Sequence, residues 1–157
     1  MSGLIQHYLK QQRGFSSLEE EVFLGLQIAA DRLMDPWAKY LKDTADVTTV
    51  QYNVLRILRG AGPEGLLAGD VAERLIARSP DVTRLIDRLE RRGLVSRYRD
   101  QEDRRAVRVC ITQEGLDRIA PLDAASREML IEHLRPLGKE RLELLRDSIE
   151  CVLQSVS

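Results

Sequence analysis

Residues 79–97 read SPDVTRLIDRLERRGLVSR, and the spacing inside this stretch decides the fold. At about 100° per residue, Val82, Leu85, Ile86 and Leu89 share one side of a helix. Pro80, Arg84, Asp87 and Arg91 share the opposite side, with Thr83 and Arg88 on its flanks. Ser79 is expected to cap this helix, with Pro80 at its first position and Gly93 as its stop. An apolar back, an arginine-bearing front and a tight turn at Ala77 and Arg78 before it give the layout of a helix that enters a DNA groove. Asp87 is expected to orient Arg84 and Arg91 from three and four residues away.

Downstream the hydrophobic period changes from helical to two. Residues 94–99 and 106–112 are expected as strands, the second alternating Val107, Val109 and Ile111 against Ala106, Arg108 and Cys110. The polar run from Asp100 to Arg105 between them makes a hairpin loop, a wing, whose Arg104 and Arg105 suit a narrow minor groove and whose carboxylates can hold them in place. Upstream, Thr48-x-x-Gln51 is a capping box opening a helix of about residues 49–59, and residues 66–76 form a short helix before the turn. Ser17-x-x-Glu20 opens a long helix to about Leu41, bent at Pro36. After the hairpin, Thr112 caps a helix from Gln113 to Leu134, bent at Pro121. Pro136 and Gly138 break the chain before a last helix, in which Leu142, Leu145, Ile149, Val152 and Val156 recur at spacings of three and four.

The terminal helices carry more apolar surface than so small a central unit can cover, and dimerisation is the simplest way to bury it. The expected fold is therefore mainly α with a small β-hairpin wing (α+β). It is a winged helix-turn-helix of one domain, 1–157, in which about 45–112 bind DNA and 1–44 and 113–157 are dimerisation helices.

Bulk composition agrees with a single partner class. The formal charge of −1 hides an asymmetry: residues 74–108 hold eleven arginines, no lysine and six carboxylates, a net +5 that leaves −6 for the rest. Arginine's planar fork fits phosphates and guanine edges. No apolar run approaches the roughly 20 residues needed to cross a bilayer, and Met1 to Lys10 lacks a signal-peptide pattern, so a cytoplasmic location without membrane contact is expected. Cys110 and Cys151 have no CxxC partner, and His7 and His133 are isolated, so neither metal nor cofactor is expected. A Gly-rich phosphate loop, HExxH and GxSxG are all missing from the sequence, which argues against an enzyme.

The run 79–97, followed by Asp103-Arg104-Arg105 and by Ile111-Thr112-x-x-Gly115, closely resembles the MarR family of bacterial regulators. The run from Thr48 to Leu55 is also similar to that family's second helix. The resemblance implies a two-fold dimer that sets two recognition helices into successive major grooves of a pseudo-palindromic operator, half-sites lying about one helical turn apart. It implies that Arg105 enters the minor groove with Asp103 as wing support. Ser79, Pro80, Thr83 and Arg84, at the start of the helix, are the candidates for the major groove and Arg88 and Arg91 for phosphates; Arg104 stands next to Arg105 in the wing, and Arg78 is a further DNA-binding candidate. It further implies a repressor released by a small phenolic or aromatic acid, for which Trp37, Tyr40, Tyr52 and Arg56 are the candidate pocket. The redox-responsive branch needs a cysteine near the start of the first long helix, and residues 1–41 have none. The alternative is a winged-helix module whose arginine face binds an acidic protein.

Overall fold

The structure is a computed structural model and describes residues 3–76, 81–100, 103 and 106–156. Ser79 and Pro80, expected at the start of the reading helix, and Arg78, Arg104 and Arg105 lie outside the described residues. Helix α1 spans Leu4–Tyr8, α2 Leu18–Ala45, α3 Thr49–Ala61, α4 Ala68–Arg74, α5 Val82–Arg91, α6 Gln113–Ile119, α7 Leu122–Leu134 and α8 Gly138–Ser155. Strands β1 (Leu66–Leu67), β2 (Val95–Arg99) and β3 (Val107–Ile111) form one antiparallel sheet in the order β1-β3-β2. The result is a mostly helical winged helix-turn-helix with a small sheet, as the spacing of the sequence implies.

Local chemistry sets most of these boundaries. Thr48 accepts the Gln51 amide at 3.2 Å while Gln51 Oε1 accepts the Thr48 amide at 3.0 Å, a complete capping box. Ser17 makes only half of one: it accepts the Glu20 amide at 3.2 Å, but the Glu20 carboxylate turns back to the Ser16 amide at 2.7 Å and the Ser16 hydroxyl at 2.5 Å. Thr112 accepts the Gly115 amide at 3.1 Å and starts α6. Helix α2 runs through Pro36 and continues beyond Leu41 to Ala45, where Asp46 at φ 51° ends it. The expected single helix after the wing is two, because Pro121 removes a backbone donor between α6 and α7.

The core gathers where α3, α5, the sheet and the α6–α7 junction meet. Leu41, Val47, Val54, Leu55, Leu58, Val71, Ile86, Leu89, Leu94, Ile119 and Leu122 are fully buried there. By contrast α8 buries none of its described residues, and Phe23 on α2, Leu130 on α7 and Leu144 on α8 are 60%, 51% and 63% exposed. Apolar surface thus concentrates in the core and again on the helical arms. No helix among the described residues is long and apolar enough to cross a membrane.

An ion pair joins arm to body. Asp123 of α7 takes both prongs of Arg59 of α3, at 2.7 and 3.0 Å. That hydrogen-bonded guanidinium lowers the pKa of Asp123 below its ordinary 3.8. A depressed carboxyl pKa adds stability above the unfolded value and loses it as pH falls through the folded one. Stability is therefore expected to fall below about pH 4, and Asp123→Asn to flatten that acid limb in a denaturant series against pH. Both side chains are about one-third exposed, so added salt weakens the effect.

Candidate nucleic-acid interface

Ser79 is the expected cap of α5, and Asp81 takes the role. Its carboxylate accepts the Arg84 amide at 3.1 Å, so the helix opens at Val82 rather than at Pro80. Val82, Ile86 and Leu89 are buried with Leu85 half-buried, whereas Thr83, Arg84, Arg88 and Arg91 are all exposed. The 3.6-residue period thus splits α5 into a packed back and a front with three guanidinium groups.

Charges on this front are arranged differently from the sequence expectation. Asp87 does not orient Arg84 and Arg91: its carboxylate accepts from Arg97 Nη2 at 2.5 Å, across from β2. Arg97 Nη1 donates to Glu90 at 2.6 Å, so one wing arginine neutralises both carboxylates of the helix front. Arg84 pairs instead with the cap Asp81 at 3.0 Å, and Arg91 Nε donates to the backbone carbonyl of Asp87 at 3.3 Å. Burial works against the charge on Arg97, and the hydrogen bonds to Asp87 and Glu90 outweigh it, raising the pKa. Arg97 is the important residue that sequence reading missed. Its signal was there, since a strand arginine follows two carboxylates by seven and ten positions on the helix before it.

The root of the hairpin is braced in the same way. Asp100 pairs with Arg108, and its Oδ1 accepts the Asp103 amide at 3.0 Å. The Asp100 amide donates to Ala106 O at 3.0 Å and the Ala106 amide to Asp103 O at 2.9 Å, which places Asp103 inside the turn that closes the wing. The Tyr98 hydroxyl donates to Glu64 O, and Arg108 Nη1 reaches the carbonyls of Glu64 and Gly65, both at 3.4 Å. Gly65, at φ 57°, lets the backbone ahead of β1 lie against β3, because a Cβ there would lie 2.3 Å from Val109 O. Strand β1, absent from the sequence expectation, exists only through this pairing, Leu66 opposite Val109.

A second feature lies where α2, α3 and α7 converge with the end of α4. It is a cleft of about 420 Å³ with Trp37, Tyr52 and Arg56 in its wall beside Met34, Met129 and His133. Tyr40 is outside the lining and stacks on Trp37 at 5.7 Å between ring centroids. Trp37 meets Tyr52 edge to face at 5.3 Å, and Arg56 stands 5.7 Å over the Tyr52 ring. Desolvation and then the Asp123 charge raise the pKa of Tyr52. No group of three or more potential metal ligands occurs among the described residues.

Comparison with known proteins fits this geometry. The MarR family model matches residues 47–107. An uncharacterized HTH-type transcriptional regulator of Bacillus subtilis, YkoM, is 34% identical over 98 residues, covering 60% of this chain and 62% of its own length. The MarR transcription factor of Planctomyces limnophilus is 36% identical, with 88% of this chain and 99% of that one superposed at a TM-score of 0.63. MepR of S. aureus, solved as a DNA complex, is 26% identical at a TM-score of 0.73, covering 85% and 96%. PcaV of Streptomyces coelicolor, solved with its natural ligand, is 28% identical at 0.69, covering 92% and 100%. The family model over residues 47–107 and a MarR transcription factor 36% identical, covered over 99% of its length, place the sequence: the chain belongs to the MarR family of transcriptional regulators.

Proposed function

We propose that the chain acts as a homodimer that represses transcription by binding a pseudo-palindromic operator, and that a small aromatic acid releases it. One observation carries the DNA reading: α5 is packed on one side and bears Thr83, Arg84, Arg88 and Arg91 exposed on the other, with its two carboxylates occupied by Arg97. In this reading Ser79, Pro80, Thr83 and Arg84 approach base edges in the major groove, while Arg78, Arg88 and Arg91 hold phosphates. Arg105, with Arg104 beside it, enters the minor groove from the wing that Asp103 helps to close. The winged-helix part is about 45–112, and 1–44 and 113–157 supply the dimer arms.

The arms support the dimer through their uncovered apolar faces. Leu145, Ile149 and Val152 recur along α8 and are all exposed, as are Leu18, Val22 and Leu26 on α2. Exposed apolar surface of this kind marks an association site. The cleft supports an anionic aromatic effector: Trp37 and Tyr52, with Tyr40 behind them, offer ring faces, and Arg56 offers a cation. Its described wall contains no carboxylate. The acidic-protein alternative has no comparable support, since the relatives are transcriptional regulators.

The test is equilibrium binding to an operator-bearing duplex. Arg84→Ala and Arg105→Ala are each expected to cost about 1–3 kcal/mol of specific binding, whereas Arg91→Ala weakens all sequences alike and lowers the salt slope by about one. Affinity unchanged in all three variants would rule the assignment out.

A further inference from the structure

Three consecutive residues make the joint at which α7 leaves the winged-helix body. Pro121 interrupts the helical hydrogen bonding, Leu122 is the one buried side chain of α7 among the described residues, and Asp123 grips Arg59 with both oxygens. At its start the direction of α7 is set by this apolar plug and a two-pronged ion pair, a contact with strict angular requirements, while α2 packs against the helix further along. A 13-residue helix is about 20 Å long, so a tilt of about 10° at this joint moves its far end by about 3 Å.

The same carboxylate is reached from the cleft. The Tyr52 hydroxyl donates to Asp123 Oδ1 at 3.3 Å, the oxygen that also accepts from Arg59 Nη2. The Tyr52 ring is itself a wall of the cleft, held between Trp37 and Arg56. A molecule that wedges against this ring shifts the hydroxyl, and Asp123 must then follow it or give it up. Either response disturbs the fork to Arg59.

We propose that Arg59 and Asp123 are positioning residues that carry occupancy of the Trp37–Tyr52 cleft, through the Tyr52 hydroxyl, to the angle at which α7 leaves the winged-helix body. Neither residue lines the cleft or lies on α5, so their part is in coupling rather than in binding ligand or DNA. In a dimer joined by its arms, that angle sets the separation of the two α5 helices. The inference rests on the effector reading above.

Trp37 is the only tryptophan of the chain and stands in the cleft, so its fluorescence reports occupancy independently of DNA. The full-length protein, Asp123→Asn and Arg59→Met are titrated with benzoate, salicylate and 4-hydroxybenzoate. Operator affinity is then measured with and without each acid. The Asn substitution is isosteric, which keeps the result from hanging on the folding of the Met variant. For the wild type, saturation is expected to lower operator affinity about tenfold or more, and in each variant by less than about threefold. The acid-free operator affinity of each variant is expected to fall toward that of the acid-saturated wild type while the Trp37 signal still saturates, and the double variant to match either single one. Variants that release DNA on saturation as fully as wild type overturn the relay while leaving the effector reading intact. Silence of Trp37 in the wild type with all three acids removes the effector reading, and the relay falls with it.

Discussion

Replacing Gly115 with alanine is expected to destabilise the chain by about 3 kcal/mol, although the same change in an unconstrained helix gains about 1 kcal/mol. The sign reverses because of what α6 packs against. A Cβ at Gly115 would lie 2.2 Å from Leu94 O and 2.7 Å from Ile111 Cγ1. Leu94 O cannot yield cheaply, since it is backbone and accepts the Thr112 amide at 3.1 Å, while the Thr112 side chain caps Gly115 itself. The first turn of α6 must lift off the end of the recognition unit, and with it the route into the arm. Gly69 is the control: it lies in α4 with open space around its missing Cβ, so Gly69→Ala is expected to be neutral or stabilising. Denaturant unfolding checks both, and in thermal unfolding the Gly115 variant should melt about 6–12 °C lower. A Gly115→Ala protein as stable as wild type would show that this contact is not tight.

Arg97→Ala is expected to lower operator affinity about 10–100-fold, or about 1.4–2.7 kcal/mol, without removing any residue assigned to DNA contact. Arg97 holds Asp87 and Glu90 at 2.5 and 2.6 Å. Without it, two carboxylates stand unneutralised beside Arg84, Arg88 and Arg91, where phosphates must approach, and α5 loses its tie to β2. Adding Asp87→Asn to that background should recover part of the loss, because one repelling charge is gone. Wild-type affinity of Arg97→Ala at low salt would show that the clamp does not matter for binding.

What could be read in the sequence was local. Caps at Thr48 and Thr112, the apolar back of α5, the strand alternation of Val107, Val109 and Ile111, and the break at Gly138 all arise from chemistry within a few residues. What could not be read arises from pairing at a distance. Strand β1 is two residues long and owes its character to β3. Asp123 meets Arg59 across 64 positions, and no periodicity announces it. The cap of α5 fell between two acceptable residues, Ser79 and Asp81, and propensity alone does not choose between them.

The central claim is that the exposed arginine front of α5, doubled by a two-fold dimer, reads duplex DNA. Its most direct measurement is selection of duplexes from a random pool by the purified full-length protein at moderate salt, followed by sequencing. The account predicts enrichment of an inverted repeat whose half-site centres lie about 10 base pairs apart, and its loss when Arg84 is replaced by alanine. A pool that stays unenriched, or an enriched sequence without two-fold symmetry that Arg84→Ala binds equally well, would contradict it.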